Sequence, residues 1–184
     1  MFAGYPGRWW VAGGWSIDLC LGKQTRQHGD IDIAVLRDEQ HLLRAHISDW
    51  DIQVAHDSML SPWQGGDWLT PPRHQFWARP QTDGAWSLEF LLEDREGADW
   101  LFRRDPKVRL PIDRLGRSAQ DGVPYLCPEV SLLYKAKNAD LERNAKDFDA
   151  VLARLDDTQR AWLRDALEQA HPGHLWIGRL AAPG

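Results

Sequence analysis

The segment Asp30–Leu36, DIDIAVL, constrains this chain more than any other. Aspartates alternate with isoleucines over four residues, and an aliphatic run follows. The pattern predicts a strand with Asp30 and Asp32 on one face, because strand side chains alternate with period two. Two carboxylates held this close repel each other unless a cation sits between them. Magnesium prefers carboxylate oxygens together with phosphate oxygens of a substrate. The pair is therefore a platform for Mg²⁺. In a two-metal site one ion activates an attacking hydroxyl and the other stabilises the leaving phosphate.

Upstream, Trp9–Ala12 (WWVA) reads as a short strand and is broken by Gly13-Gly14. Trp15–Leu21 has apolar residues at both strand and helix offsets, and the flanking glycines favour a short helix stopped by Gly22. A glycine pair between strand and helix lets backbone amides approach phosphate oxygens closely, and the helix N-terminus favours an anion. Neither the glycine pair nor Asp-Ile-Asp is specific alone; in this order they are far more so.

The segment VAGGWSIDLCLGKQTRQHGDIDIAVL resembles the nucleotidyltransferase superfamily with a DNA polymerase β-like palm. Within it, the likeness is to the aminoglycoside 2''-type and lincosamide-type antibiotic nucleotidyltransferases. It is carried by Gly13, Gly14, Trp15, Asp18, Gly22, Arg26, His28, Asp30 and Asp32. The resemblance implies Mg²⁺ as metal and ATP, or another nucleoside triphosphate, as co-substrate. It also implies a third carboxylate on a later strand, acting as metal ligand or as base toward the acceptor hydroxyl. Glu89 in WSLEFLL is the candidate, with Glu93 and Asp94 as alternatives. Arg26 and His28 are implied near the triphosphate or as braces of their loop, and Asp18 as a brace. A second, looser likeness covers PEVSLLYKAK and RNAKDFDAVL. It makes Lys135 a candidate phosphate ligand, and Asp147 and Asp149 partners of Lys146, Arg143 or the cleft edge.

The rest of the chain predicts a helix over 38–49, a strand over 51–55, and a loop or lid over 57–73. Strands over 74–79 and 86–92 are joined by a PQTDGA turn, with further extended pieces at 100–104, 108–112 and 123–126. Helices follow from Pro128 through Glu142, over 145–155 and over 158–170. Strands first and helices last predict an α+β fold: a mixed-sheet, palm-like nucleotidyltransferase domain (1–116) followed by a C-terminal helical region (117–184), with the boundary near 116–128.

A formal net charge of −5 argues against long nucleic acid as partner, since that selects a basic surface. It is compatible with a polycationic acceptor. The two cysteines, Cys20 and Cys127, lie in apolar stretches and read as buried free thiols in a reducing compartment. No stretch approaches a membrane span and the start lacks a signal-peptide core, so the expected location is the cytoplasm. The expected activity is Mg-dependent transfer of AMP from ATP to a hydroxyl of a small molecule, aminoglycoside-like or lincosamide-like. A homodimer is compatible with the resemblance. The competing readings are transfer to a protein or tRNA, as in toxin–antitoxin systems, and an inactive nucleotide-binding relative.

Overall fold

The computed structural model describes residues 1–64, 66–81, 86 and 88–181. The PQTDGA turn and Ser87 lie largely outside the described residues. The first strand, β1 (Trp9–Val11), leads through Ala12 into α1 (Gly13–Leu21), which Gly22 closes in the left-handed region at φ 69°. Next come β2 (Ile31–Leu36), a 3-10 turn at Arg37–Glu39 and α2 (Gln40–His46). Strands β3 (Trp50–His56), β4 (Met59–Pro62), β5 (Gln75–Pro80), β6 (Leu88–Glu96), β7 (Asp99–Leu101) and β8 (Arg109–Pro111) follow. The single-turn helix α3 (Ile112–Leu115) precedes β9 (Gly116–Ser118) and β10 (Pro124–Leu126). Four helices complete the chain: α4 (Pro128–Ala136), α5 (Glu142–Leu152), α6 (Asp157–Ala170) and α7 (Trp176–Ala181).

The main sheet runs β4-β3-β5-β6-β2-β1-β10-β9; β7 pairs with β6, and β8 with β7. It is mixed. β2 pairs parallel with β6, and β1 parallel with β10, whereas β1–β2 and β5–β6 are antiparallel. Alternation sorts its side chains into two cores. Ile33, Val35, Phe76, Phe90 and Leu92 pack with α2 residues Leu43 and neighbouring Ile47 on one face. Trp10, Ala34 and Leu36 pack with the C-terminal helices on the other. Asp30 and Asp32 follow the parity of Ala34 and Leu36, so they face the helices.

The fold class is α+β, as the strands-then-helices order predicts. The sheet draws its last two strands, β9 and β10, from Gly116 onward, within the 116–128 interval, and the C-terminal helices start at Pro128.

Several local expectations are corrected. Strand β4 falls inside the predicted lid, because Asp57 and Ser58 adopt positive φ (49° and 61°) and turn the chain back onto β3. Such two-residue turns normally carry Asn-Gly or Asp-Gly, and Asp-Ser does not announce one. Helix α4 stops at Ala136 instead of running on to Glu142. A chain of tight turns carries 137–141, and Asn144 Nδ2 caps the freed Asn138 carbonyl at 2.8 Å. Helix α7 was not predicted; its Trp176 stacks on Phe148 at 4.3 Å.

Candidate active site

The parallel register of β2 and β6 places Asp32 beside Glu89. One oxygen from each of Asp30, Asp32 and Glu89 lies within 4.8 Å of the others. All three side chains are half-buried. Burial, with the charge of Asp32 beside it, pushes the Glu89 carboxyl up to about 8. Burial and then Asp30 likewise push Asp32 upward. Crowded carboxylates of this kind demand positive charge. Three clustered carboxylate oxygens that leave room for phosphate and water oxygens are a donor set that suits Mg²⁺. The alternatives for the third acid are engaged elsewhere. Glu93 is buried and accepts from Trp100 Nε1 (2.6 Å) and Tyr134 Oη (2.7 Å). Asp94 accepts from Arg37 Nε and Nη2 at 2.5 and 3.2 Å.

Gly13 and Gly14 form the wall next to the acids. Gly13 has φ 60°, and a Cβ there would overlap the Asp32 carboxylate. A Cβ at Gly14 would overlap the Arg26 guanidinium and the His28 ring. The bare backbone is therefore what lets these side chains converge. A cavity of about 400 Å³ opens here, lined by the glycine pair, Asp30, Asp32, Arg26 and Lys135 among others. Carboxylates and cations lining one cavity make a site that takes a metal and a polyanion together.

The site is braced from beneath. Asp18 is buried and accepts from Thr25 N (3.0 Å) and Thr25 Oγ1 (2.5 Å), and its other oxygen lies 2.6 Å from His28 Nε2. Burial raises its carboxyl, but these hydrogen bonds outweigh that and hold it below its ordinary value. Trp15 Nε1 donates to the Asp30 carbonyl at 3.1 Å. Ser16 and Ser131 share a hydrogen bond of 2.8 Å that locks α1 to α4. Lys135 Nζ sits 2.8 Å from Asp147 Oδ2, which also accepts from Arg26 Nη2 at 3.4 Å. Of the partners expected for Asp147, the cleft edge is the one the structure shows, since both cations line the cavity. Lys146 instead pairs with Glu142, and Asp149 with Arg179. The structure thus brings Gly13, Gly14, Arg26, His28, Asp30, Asp32 and Lys135 around one cavity, with Glu89 beside Asp32.

The aminoglycoside-2''-adenylyltransferase family model matches residues 2–62. That span contains the glycine pair, Asp18, Arg26, His28 and both aspartates. The fold is shared with solved structures of antibiotic adenylyltransferases. The chain is similar to a solution structure of the antibiotic-resistance factor ANT(2'')-Ia, at 17% identity and TM-score 0.57, covering 89% of this chain and 83% of that one. It is similar to a crystal structure of ANT(2'')-Ia in complex with adenylyl-2''-tobramycin, at 17% identity and TM-score 0.60, over 89% and 88% of the two chains. It is also similar to the lincosamide antibiotic adenylyltransferase LnuA bound to lincomycin, at 19% identity and TM-score 0.55, over 82% and 89%. No curated protein matches the sequence significantly. The likeness to antibiotic nucleotidyltransferases holds at two levels: the family model over the N-terminal segment, and the adenylyltransferase-like fold over most of the chain. Among the described residues no helix is long and apolar enough to cross a membrane.

Sequence reasoning allowed Asp147 at the cleft edge but did not identify Arg26 and Lys135 as the two cations it anchors. A signal existed: Asn144, Asp147, Phe148 and Val151 follow 3–4 spacing and form the buried face of α5. An acid on such a stripe needs a cationic partner.

Proposed function

We propose that this chain transfers AMP from ATP to a hydroxyl of a small molecule, with Asp30, Asp32 and Glu89 holding Mg²⁺. The convergence of the three carboxylates at the rim of the Gly13-Gly14 cradle carries this reading. The glycine backbone and the first turn of α1 receive the triphosphate, and Arg26 and Lys135 neutralise its charge. His28, oriented by Asp18, donates toward the same phosphates. When bound, Mg²⁺ supplies charge neutralisation at the phosphates. The acceptor oxygen attacks the α-phosphorus in line, forming a new O–P bond. The bond from α-phosphorus to the bridging oxygen breaks, and pyrophosphate leaves with those electrons. The hydroxyl proton passes to the Glu89 carboxylate. Most of the rate enhancement then comes from positioning and charge complementarity. The likeness to ANT(2'')-Ia and LnuA makes aminoglycoside-like and lincosamide-like molecules the first acceptors to screen. A cytoplasmic location and a homodimer belong to the same reading.

Isothermal calorimetry of ATP with Mg²⁺ tests it. Metal-dependent binding in the wild type, lost in Asp30→Asn/Asp32→Asn, supports the site and justifies an acceptor screen by pyrophosphate release. Absence of binding by the wild type sinks the reading.

A further inference from the structure

A second cavity, of about 600 Å³, opens beside the triad. Ala55 on β3 and Gln75 on β5 line it and are cross-strand partners. Gln75 in turn lies opposite Leu91, two residues along β6 from Glu89. Residues two apart share a face, and so do directly opposed residues. This cavity therefore lies over the sheet face that carries Asp32 and Glu89. The strand order β3-β5-β6-β2-β1 puts it on one side of the triad and the Gly13-Gly14 cradle on the other. In-line displacement needs the attacking and leaving oxygens on opposite sides of phosphorus. With the triphosphate over the cradle, the acceptor arrives from the β3–β5 side.

The charge of that side is informative. Arg103, Arg104 and Lys137 line the cavity, and Asp57, at the outer turn, is the sole acid among its described lining residues. Arg104 is held by a 2.9 Å bond to the Tyr134 carbonyl. Arg103 lies over the Tyr134 ring, 5.4 Å from its centre, and its charge is felt at Glu89. It thus lines the cavity and lies near enough to Glu89 to act on its charge. Among the described residues, neither Arg103 nor Lys137 forms a salt bridge. A polyamine entering here meets three like charges, and like-charge contact is an effective means of rejecting a ligand.

We infer that the acceptor is an anionic hydroxyl compound of roughly disaccharide size, bearing a phosphate or carboxylate that Arg103 and Lys137 receive. This deepens the nucleotidyl-transfer reading and rests on it. A nucleic-acid end is the less favoured anion, because the cations are local and the chain as a whole carries −5.

The test is calorimetry on the full chain loaded with Mg²⁺ and a non-hydrolysable ATP analogue. The loading titration reports separately on the nucleotide site, so its failure and that of the acceptor proposal are distinct. The probes are trehalose 6-phosphate, trehalose, tobramycin and a CCA-ended RNA minihelix. The expected result is that trehalose 6-phosphate binds at least tenfold more tightly than trehalose and tobramycin. Lys137→Gln, on an exposed side chain, and Arg103→Gln each remove most of that advantage while analogue binding persists. Equal binding of the two sugars, tighter binding of tobramycin or of the minihelix, or binding of none overturns the proposal.

Discussion

Asp147 Oδ2 lies 2.8 Å from Lys135 Nζ and 3.4 Å from Arg26 Nη2, so one buried carboxylate on α5 aims two cations from distant segments at one cavity. Arg26 and Asp147 are 121 residues apart in sequence. Replacing the acid leaves two cations facing each other in a poorly solvated pocket. Removing one partner of a buried pair costs about 3 kcal/mol or more. Asp147→Asn is therefore expected to lower Tm clearly. ATP with Mg²⁺ brings back negative charge, so it should raise the variant's Tm by more than the wild type's. Paired melts with and without nucleotide check this, and an equal ligand-induced shift in both proteins counts against the anchoring role.

Glu89 and Glu93 are four residues apart on one strand, yet they sit in different chemistry. Glu93 is buried and bonded to Trp100 and Tyr134. Glu89 faces Asp30 and Asp32. Glu89→Gln is expected to lower kcat by on the order of a hundredfold or more, as loss of a proton acceptor does. Its Tm at pH 8 should hold or rise, since a crowded charge is gone. Glu93→Gln is expected to do the reverse, destabilising the fold with little loss of turnover per folded molecule. Steady-state kinetics beside thermal melts separates the two.

Much of this site was legible because its parts are local. Asp30 and Asp32 share a face by strand parity alone, and Gly13-Gly14 marks its own tight turn. Glu89 could be nominated as a lone acid among apolar strand neighbours, but its choice over Glu93 and Asp94 needed the β2–β6 register and the partners Tyr134 and Arg37. The 3–4 spacing on α5 marks Asp147 as an acid on a buried stripe, but not which cations it meets. Its pairing with Arg26 and Lys135, and the placement of Arg103, arise only when α5 and the segment after β7 dock on the sheet. The β3–β4 turn was missed because Asp57-Ser58 takes positive φ without glycine.

Gly13 is the position where backbone and chemistry are most tightly joined. A side chain at φ 60° costs about 1–2 kcal/mol by itself. The added Cβ would also displace the Asp32 carboxylate. Gly13→Ala should thus lose roughly a hundredfold in kcat/KM, the scale of a misplaced reacting group. Gly122, at φ 84° with open space around it, is the control: Gly122→Ala should cost stability through φ alone and leave kcat/KM near wild type. Similar kinetic losses in the two variants would remove the special role of Gly13.

The raised Glu89 carboxyl sets a pH signature for metal binding. Its folded value of about 8 exceeds the ordinary 4.5. The folded metal-free protein thus holds this proton more tightly than the unfolded chain does. That contribution to stability is complete below about 4.5 and is lost as pH rises through about 8. Mg²⁺ competes with the proton for the same oxygens, so its benefit has the opposite trend. The increase in Tm on adding Mg²⁺ over an EDTA reference should be small at pH 5 and large at pH 8. In Glu89→Gln the pH dependence of that increase should flatten. A Mg²⁺-induced shift of the same size at both pH values in the wild type would mean that Glu89 is not a competing ligand.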